Sequence, residues 1–149
     1  MWPFPRKKWE KLGSSWTNVG NISQFQRISP NTPLYDFRDP SYRAIPHAEF
    51  EKLLFDYWFP RDFGDYAKGR RDCDKYAVQC MAKIQAAWAD LSRGDEGLDF
   101  GYISGKVKEM TLYHAWIWQM DDKGDFAFYE PQTGQRWSPT LENVTAVEA

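Results

Sequence analysis

The chain has 149 residues, two cysteines and a formal net charge of −2 from 19 basic and 21 acidic side chains. That length suits one domain and scarcely two. The charge balance argues against a nucleic-acid partner held by bulk positive charge, no apolar run approaches the roughly 20 residues of a membrane span, and two cysteines make neither a disulfide-dense scaffold nor a Cys-only zinc site. Aromatic residues reach 17%, with eight tryptophans, so a small domain can build its core from few large rings.

Residues 1–45 read as an aromatic, Pro-rich, irregular arm that packs on a single domain spanning 46–149. Six of the nine prolines fall within residues 1–46, and Trp2, Phe4, Trp9, Trp16, Phe25, Tyr35 and Phe37 punctuate the segment, which a disordered tail would not carry. Arg6, Lys7 and Lys8 are not followed by the apolar stretch of an export signal. A cytoplasmic protein is the resulting expectation.

Pro46 suits the first turn of a helix, and Phe50, Leu53, Leu54 and Tyr57 share one helical face up to the break at Pro60. Residues 60–71 read as a polar loop. A second helix starts near Asp72 or Cys73 and runs to about Arg93, with Tyr76, Ala77, Cys80, Met81, Ile84, Trp88 and Leu91 in one stripe and Gly94 as its stop. The period then changes. Residues 100–103 suggest a short strand, 111–120 a longer one, Asp121-Asp122-Lys123-Gly124 a turn and 125–130 the returning strand, with short strands near 135–137 and 144–147. The fold class predicted is α+β, N-terminal helices followed by an antiparallel sheet.

Three segments could carry chemistry together. Cys73 sits where a long helix begins, and the free N–H groups and partial positive charge there favour thiolate over thiol; Arg70 and Arg71 just upstream act in the same direction. Strand alternation places Leu112, His114, Trp116 and Trp118 on one face, so His114 lies in an otherwise apolar row. A turn centred at Asp122, or between Asp122 and Lys123, puts His114 opposite Glu130 or Pro131, at a Cβ separation of about 5 Å when directly paired. A carboxylate there fixes the tautomer of the imidazole and favours its charged form. Cys73 as nucleophile, His114 as base and then acid, and Glu130 as orienter make a candidate triad for a thioester mechanism. Trp116 and Gln132 are candidate substrate contacts. Asp72 and Asp74 suit either helix capping or a hard cation such as calcium. His47 reads as an exposed residue of the first helix. The runner-up reading is a catalytically silent fold that binds other proteins through the aromatic arm, or an arm that covers the cleft.

The order Cys, His, acid, and the strings His114-Ala115-Trp116 and Tyr129-Glu130-Pro131-Gln132-Thr133, resemble papain-like and transglutaminase-like cysteine enzymes. The likeness, over about residues 46–137, is nearest to the C-terminal protease domain of the fairy-ring mushroom agglutinin and to related small bacterial or phage domains. It implies a papain-like fold, a thiol protease or amidase acting on a protein or peptide substrate through Cys73, His114 and Glu130, and calcium near the site. Papain-like enzymes carry an oxyanion glutamine shortly before the cysteine; Asp65-Tyr66-Ala67-Lys68-Gly69 offers none, which leaves Gln24 or Gln26 of the arm, or the Cys73 backbone N–H with another donor.

Overall fold

The structure, a computed structural model, describes residues 12–58, 60–70, 72–92 and 95–149. The expectations for Trp2, Phe4, Trp9, Arg71, Arg93 and Gly94 lie outside the described residues. In chain order the elements are β1 (Ser14–Thr17), α1 (Asn18–Ile28), β2 (Leu34–Asp36), β3 (Ser41–Ala44), α2 (His47–Tyr57), α3 (Pro60–Phe63), α4 (Cys73–Leu91), β4 (Gly97–Leu98), β5 (Phe100–Val107), β6 (His114–Met120), β7 (Phe126–Tyr129), β8 (Arg136–Trp137) and β9 (Leu141–Glu148).

The expected order, helices first and an antiparallel sheet after, does not hold. Strands precede and separate the helices, and the sheets are mixed: a three-stranded one ordered β1-β3-β4 and a six-stranded one ordered β2-β9-β5-β6-β7-β8. β5 to β8 form the expected antiparallel meander, but β2 joins β9 and β3 joins β4 in parallel. These arm strands are three and four residues long, too short to show a period of their own. Their partners lie far along the chain, so pairing and not local propensity makes them strands. Helix α1 was equally illegible. Only Asn21 and Phe25 of it are buried, and its start rests on a single cap, Thr17 Oγ1 accepting from the Gly20 N–H at 3.0 Å; such a cap contributes about 1 kcal/mol. Phe25 then anchors the helix, with its ring 4.3 Å from Phe126 and 4.8 Å, edge-on, from Trp118.

Strand β6 is the centre of the molecule, buried at all seven positions. One face sends Ala115 and Ile117 into a core with α2 and α4, built on Phe50, Leu53, Tyr76, Ala77, Cys80, Ile84 and Trp88. The other sends Trp116, Trp118 and Met120 into a second core with Phe25, Tyr42, Ile103, Val107 and Val147. The alternation read along 112–118 is therefore the alternation of the sheet. Fully burying one such large ring contributes roughly 3 kcal/mol, which is how a short chain sustains two cores. No helix among the described residues is long and apolar enough to cross a membrane.

The β6–β7 turn decides what faces His114. Ile117 pairs with Tyr129 and Trp118 with Phe128, so the turn centres on Lys123, closed by Gly124 at φ 86°, a left-handed conformation that suits glycine. The register thus differs by two from the pairing that opposed His114 to Glu130. Extended along the strands, it sets Glu130 beside Trp116, and an even shift keeps it on the His114 face as a diagonal neighbour.

Candidate active site

The site forms where three elements end. Cys73 is the first residue of the 19-residue helix α4, His114 is the first residue of β6, and Glu130 directly follows β7. The Glu130 carbonyl accepts from the N–H groups of Thr133 and Gly134, at 3.3 and 2.7 Å, and this tight turn holds the residue at the strand end.

His114 Nε2 meets Glu130 Oε1 at 2.5 Å, which leaves Nδ1 as the ring nitrogen for Cys73. The hydrogen bond to His114 holds the Cys73 thiol below its ordinary value; burial and the Asp74 charge oppose this, and the Ala115 backbone reinforces it. Burial works against a charged His114, but the hydrogen bonds to Cys73 and Glu130 outweigh it and push the imidazole up to about 9. Both shifts favour the same species, a thiolate beside an imidazolium. The ring is clamped as well: Trp116 lies nearly parallel to it at 6.1 Å and Trp137 edge-on at 5.9 Å. His114 is only 7% exposed, whereas Cys73 is half-buried and open to a reagent.

The other candidates divide. Trp116 is fully buried, so it supports the His114 ring and touches no substrate. Gln132 is half-buried in the turn after Glu130 and stays at the edge of the site. Gln24 borders Gly124 in the β6–β7 turn, at the opposite end of β6 from His114 and about 20 Å away by strand rise; Gln26 is exposed on α1. Neither serves Cys73 as an oxyanion donor. His47 is half-buried and not exposed as expected: Nδ1 bonds Gln119 Oε1 and Nε2 lies 3.5 Å from Asp121 Oδ2, at the far end of β6. Trp137 was missed, since only the pairing of β8 with β7 brings it to His114.

Asp72 and Asp74 do not fit a calcium site. Asp72 Oδ2 accepts from the Gly69 N–H at 2.8 Å, and Asp74 Oδ2 is held by the Lys75 ammonium at 2.8 Å. Neighbouring Asp72 and Lys75 keep the Asp74 carboxyl below its usual range. No cluster of three or more His, Cys, Asp or Glu side chains with metal-site geometry occurs among the described residues, and calcium takes about six to eight oxygens. Nor does the Asp72 side chain cap α4.

No protein-family model matches the chain, and no curated protein matches it. Solved structures do. PSL1a in complex with E64 is similar with a TM-score of 0.72 and 15% identity, over 92% of this chain and 50% of that one. Polyporus squamosus lectin bound to the epitope Neu5Aca2-6Galb1-4GlcNAc is similar with a TM-score of 0.68 and 16% identity, over 91% of this chain and 50% of that one. The chain thus spans about half the length of the solved chains it matches. At this identity the likeness shows the fold alone. It overturns the resemblance drawn from short motifs: the matching structures are of a lectin and not of a papain-like or transglutaminase-like protease. The protease designation and the protein or peptide substrate go with it, since the ligand named with the lectin is a glycan. The motif strings misled because three and five residues are too few to fix a family.

Proposed function

We propose that the chain is a thiol-dependent hydrolase of an amide bond, working through a thioester at Cys73. The observation that carries this reading is the hydrogen bond of His114 to Glu130 at 2.5 Å, beside a Cys73 thiol that His114 pulls below its ordinary value. The Cys73 thiolate attacks the carbonyl carbon and forms the C–S bond. The imidazolium N–H of His114 then protonates the leaving nitrogen as the C–N bond breaks. In the second half His114 takes a proton from water, the hydroxide attacks the thioester, and the C–S bond breaks to restore the thiolate and release the acid. Glu130 holds the imidazole orientation and offsets its charge. Backbone N–H groups at the start of α4, which have no intrahelical acceptor, are the donors available to the oxyanion. A reducing cytoplasm suits a site that needs Cys73 as a free thiol.

The test is mass spectrometry of the native chain with iodoacetamide at neutral pH, and with E64, the compound of the PSL1a complex. The expected result is modification at Cys73 faster than the denatured thiol and slowed by His114→Ala. Labelling no faster than the denatured thiol, together with indifference to His114→Ala, overturns the reading.

Carbohydrate binding is the second reading, supported by the glycan named with Polyporus squamosus lectin. Calorimetric titration with that trisaccharide tests it, and a flat titration at millimolar sugar removes it.

A further inference from the structure

The carboxylate that meets His114 stands just outside the sheet. Glu130 follows the last residue of β7, so its place is set by the turn that leads on to β8. The bonds inside that turn are local. The Glu130 N–H donates to the Gln135 carbonyl at 2.8 Å, and the Gln135 N–H donates to Thr133 Oγ1 at 3.2 Å. Together with the two bonds to the Glu130 carbonyl they fix the shape of the turn. Shape alone does not fix where the turn stands, because a hairpin end can tilt as a body beyond its last ladder pair, here Tyr129 with Arg136.

Among the described residues, one hydrogen bond from another element reaches positions 131–134. Trp58, the residue after α2, donates its indole Nε1–H to the Pro131 carbonyl at 2.8 Å, across 73 positions of sequence. The bond is buried, Trp58 itself is 3% exposed, and Pro131 is buried. A carbonyl and an indole N–H withdrawn from water both lose if such a bond is unmade. The donor is itself held from several sides. The Trp58 backbone N–H donates to the Leu54 carbonyl at 2.9 Å and closes α2, and its side chain belongs to the core that contains Leu53, Leu54 and Ile84. Lys83 Nζ of α4 lies 5.6 Å from the centroid of its ring. The turn fits against the same ring, since a Cβ on Gly134 would come 4.0 Å from Trp58 Cδ1.

We propose that Trp58 is a positioning residue for Glu130: its indole N–H pins the turn through the Pro131 carbonyl and so holds the Glu130 carboxylate against His114 Nε2. The role rests on the thiol-hydrolase reading, in which an oriented imidazole is what the carboxylate supplies. The contact it protects, Glu130 Oε1 with His114 Nε2 at 2.5 Å, is a short hydrogen bond to a charged group, and such bonds depend steeply on placement. The titratable groups facing His114 are Cys73 of α4 and Glu130 of the turn. Trp58 carries no charge, so its effect on the imidazole runs through the placing of Glu130.

Trp58→Phe tests this, because it keeps an aromatic ring in the core and removes the N–H. NMR titration of the His114 ring protons should show the midpoint falling by about half a pH unit or more, with iodoacetamide labelling of Cys73 at pH 7 slowed about threefold. Placed on Glu130→Gln, Trp58→Phe should add no further fall, as a residue acting only through that carboxylate must. Leu54→Ala opens a cavity one turn earlier and leaves the indole in place; it should lower stability and leave the His114 midpoint where it is. In the unmodified chain the Trp58 indole N–H should exchange with solvent as slowly as the core amides. An unmoved midpoint in folded Trp58→Phe, an equal fall in Leu54→Ala, or a full additional fall on Glu130→Gln overturns the proposal. So does fast exchange of the indole N–H in the unmodified chain, a readout that holds even if the variant does not fold. Ordinary Cys73 reactivity in the unmodified chain, beside a His114 midpoint that Trp58→Phe still moves, would remove the hydrolase reading and leave the positioning of Glu130 standing.

Discussion

Cys73 and Cys80 lie two turns apart on α4, and the same helix makes them chemically opposite. Cys80 points into the core beside Ile84 and Trp88, fully buried, and burial alone pushes its thiol far up. Cys73 stands at the helix start, half-buried, with the thiol pulled down by His114. The residue type is identical, but only Cys73 lies in the first turn, where the free N–H groups of the helix act. Place on the helix, solvent and partner all differ, and these decide whether a sulfur is a packing atom or a nucleophile.

The comparison is broken or sharpened by substitution, beginning with the largest effect. Cys73→Ala should reduce alkylation of the native chain by about 100-fold or more, because Cys80 is sealed from reagent; labelling that persists at Cys80 would show that the core opens readily. Next, His114→Ala should slow Cys73 alkylation at pH 7 by about tenfold or more and move its pH profile towards the ordinary thiol value of about 8.5. An unchanged profile would mean that the helix start alone activates the thiol.

The pH dependence of the native pair carries two signs. His114, raised to about 9, contributes stability that is complete below its ordinary value of about 6.5 and is lost as pH rises through about 9. Cys73, lowered, contributes above the ordinary thiol value and loses that contribution as pH falls through its folded value. The reactive ion pair therefore occupies the window between the lowered thiol and about 9. Stopped-flow alkylation from pH 5 to 10 should place the midpoint of the thiolate rise below that of the urea-unfolded chain.

Smaller again, Glu130→Gln keeps the shape of the side chain but removes its charge. It should bring the His114 titration down, read by NMR of the ring protons, and slow alkylation about threefold to tenfold. The smallest effect on reactivity belongs to Cys80→Ala, which should leave Cys73 labelling as it is. It should cost about 1 to 2 kcal/mol of stability, roughly 2–8 °C in Tm, from the small cavity left beside Ile84. A change in labelling rate there would couple the core to the site.

Much of the second half of the chain was legible. Phe50, Leu53 and Leu54 announced α2, and the stripe from Tyr76 to Leu91 announced α4 with Cys73 at its start, because an apolar face repeating every three to four residues is a local signal. His114 and Glu130 meet, although the turn sits on Lys123 and neither on Asp122 nor between Asp122 and Lys123. Gln24 was misplaced because nothing in residues 18–28 announced a helix at the far end of the hairpin. Trp116 was misassigned because alternation gives the face of a strand and not whether that face is covered.

The sequence by itself determined the residue types, the faces of α4 and β6, and the order in which a thiol, an imidazole and a carboxylate come along the chain. These follow from periodicity, which neighbouring residues encode together. Only the tertiary structure decided that β2 and β3 complete two mixed sheets, that Glu130 reaches His114 diagonally, and that Trp137 closes on the ring. Each depends on which distant segment is chosen as partner, a choice set by the packing of the whole chain and absent from any single window of residues.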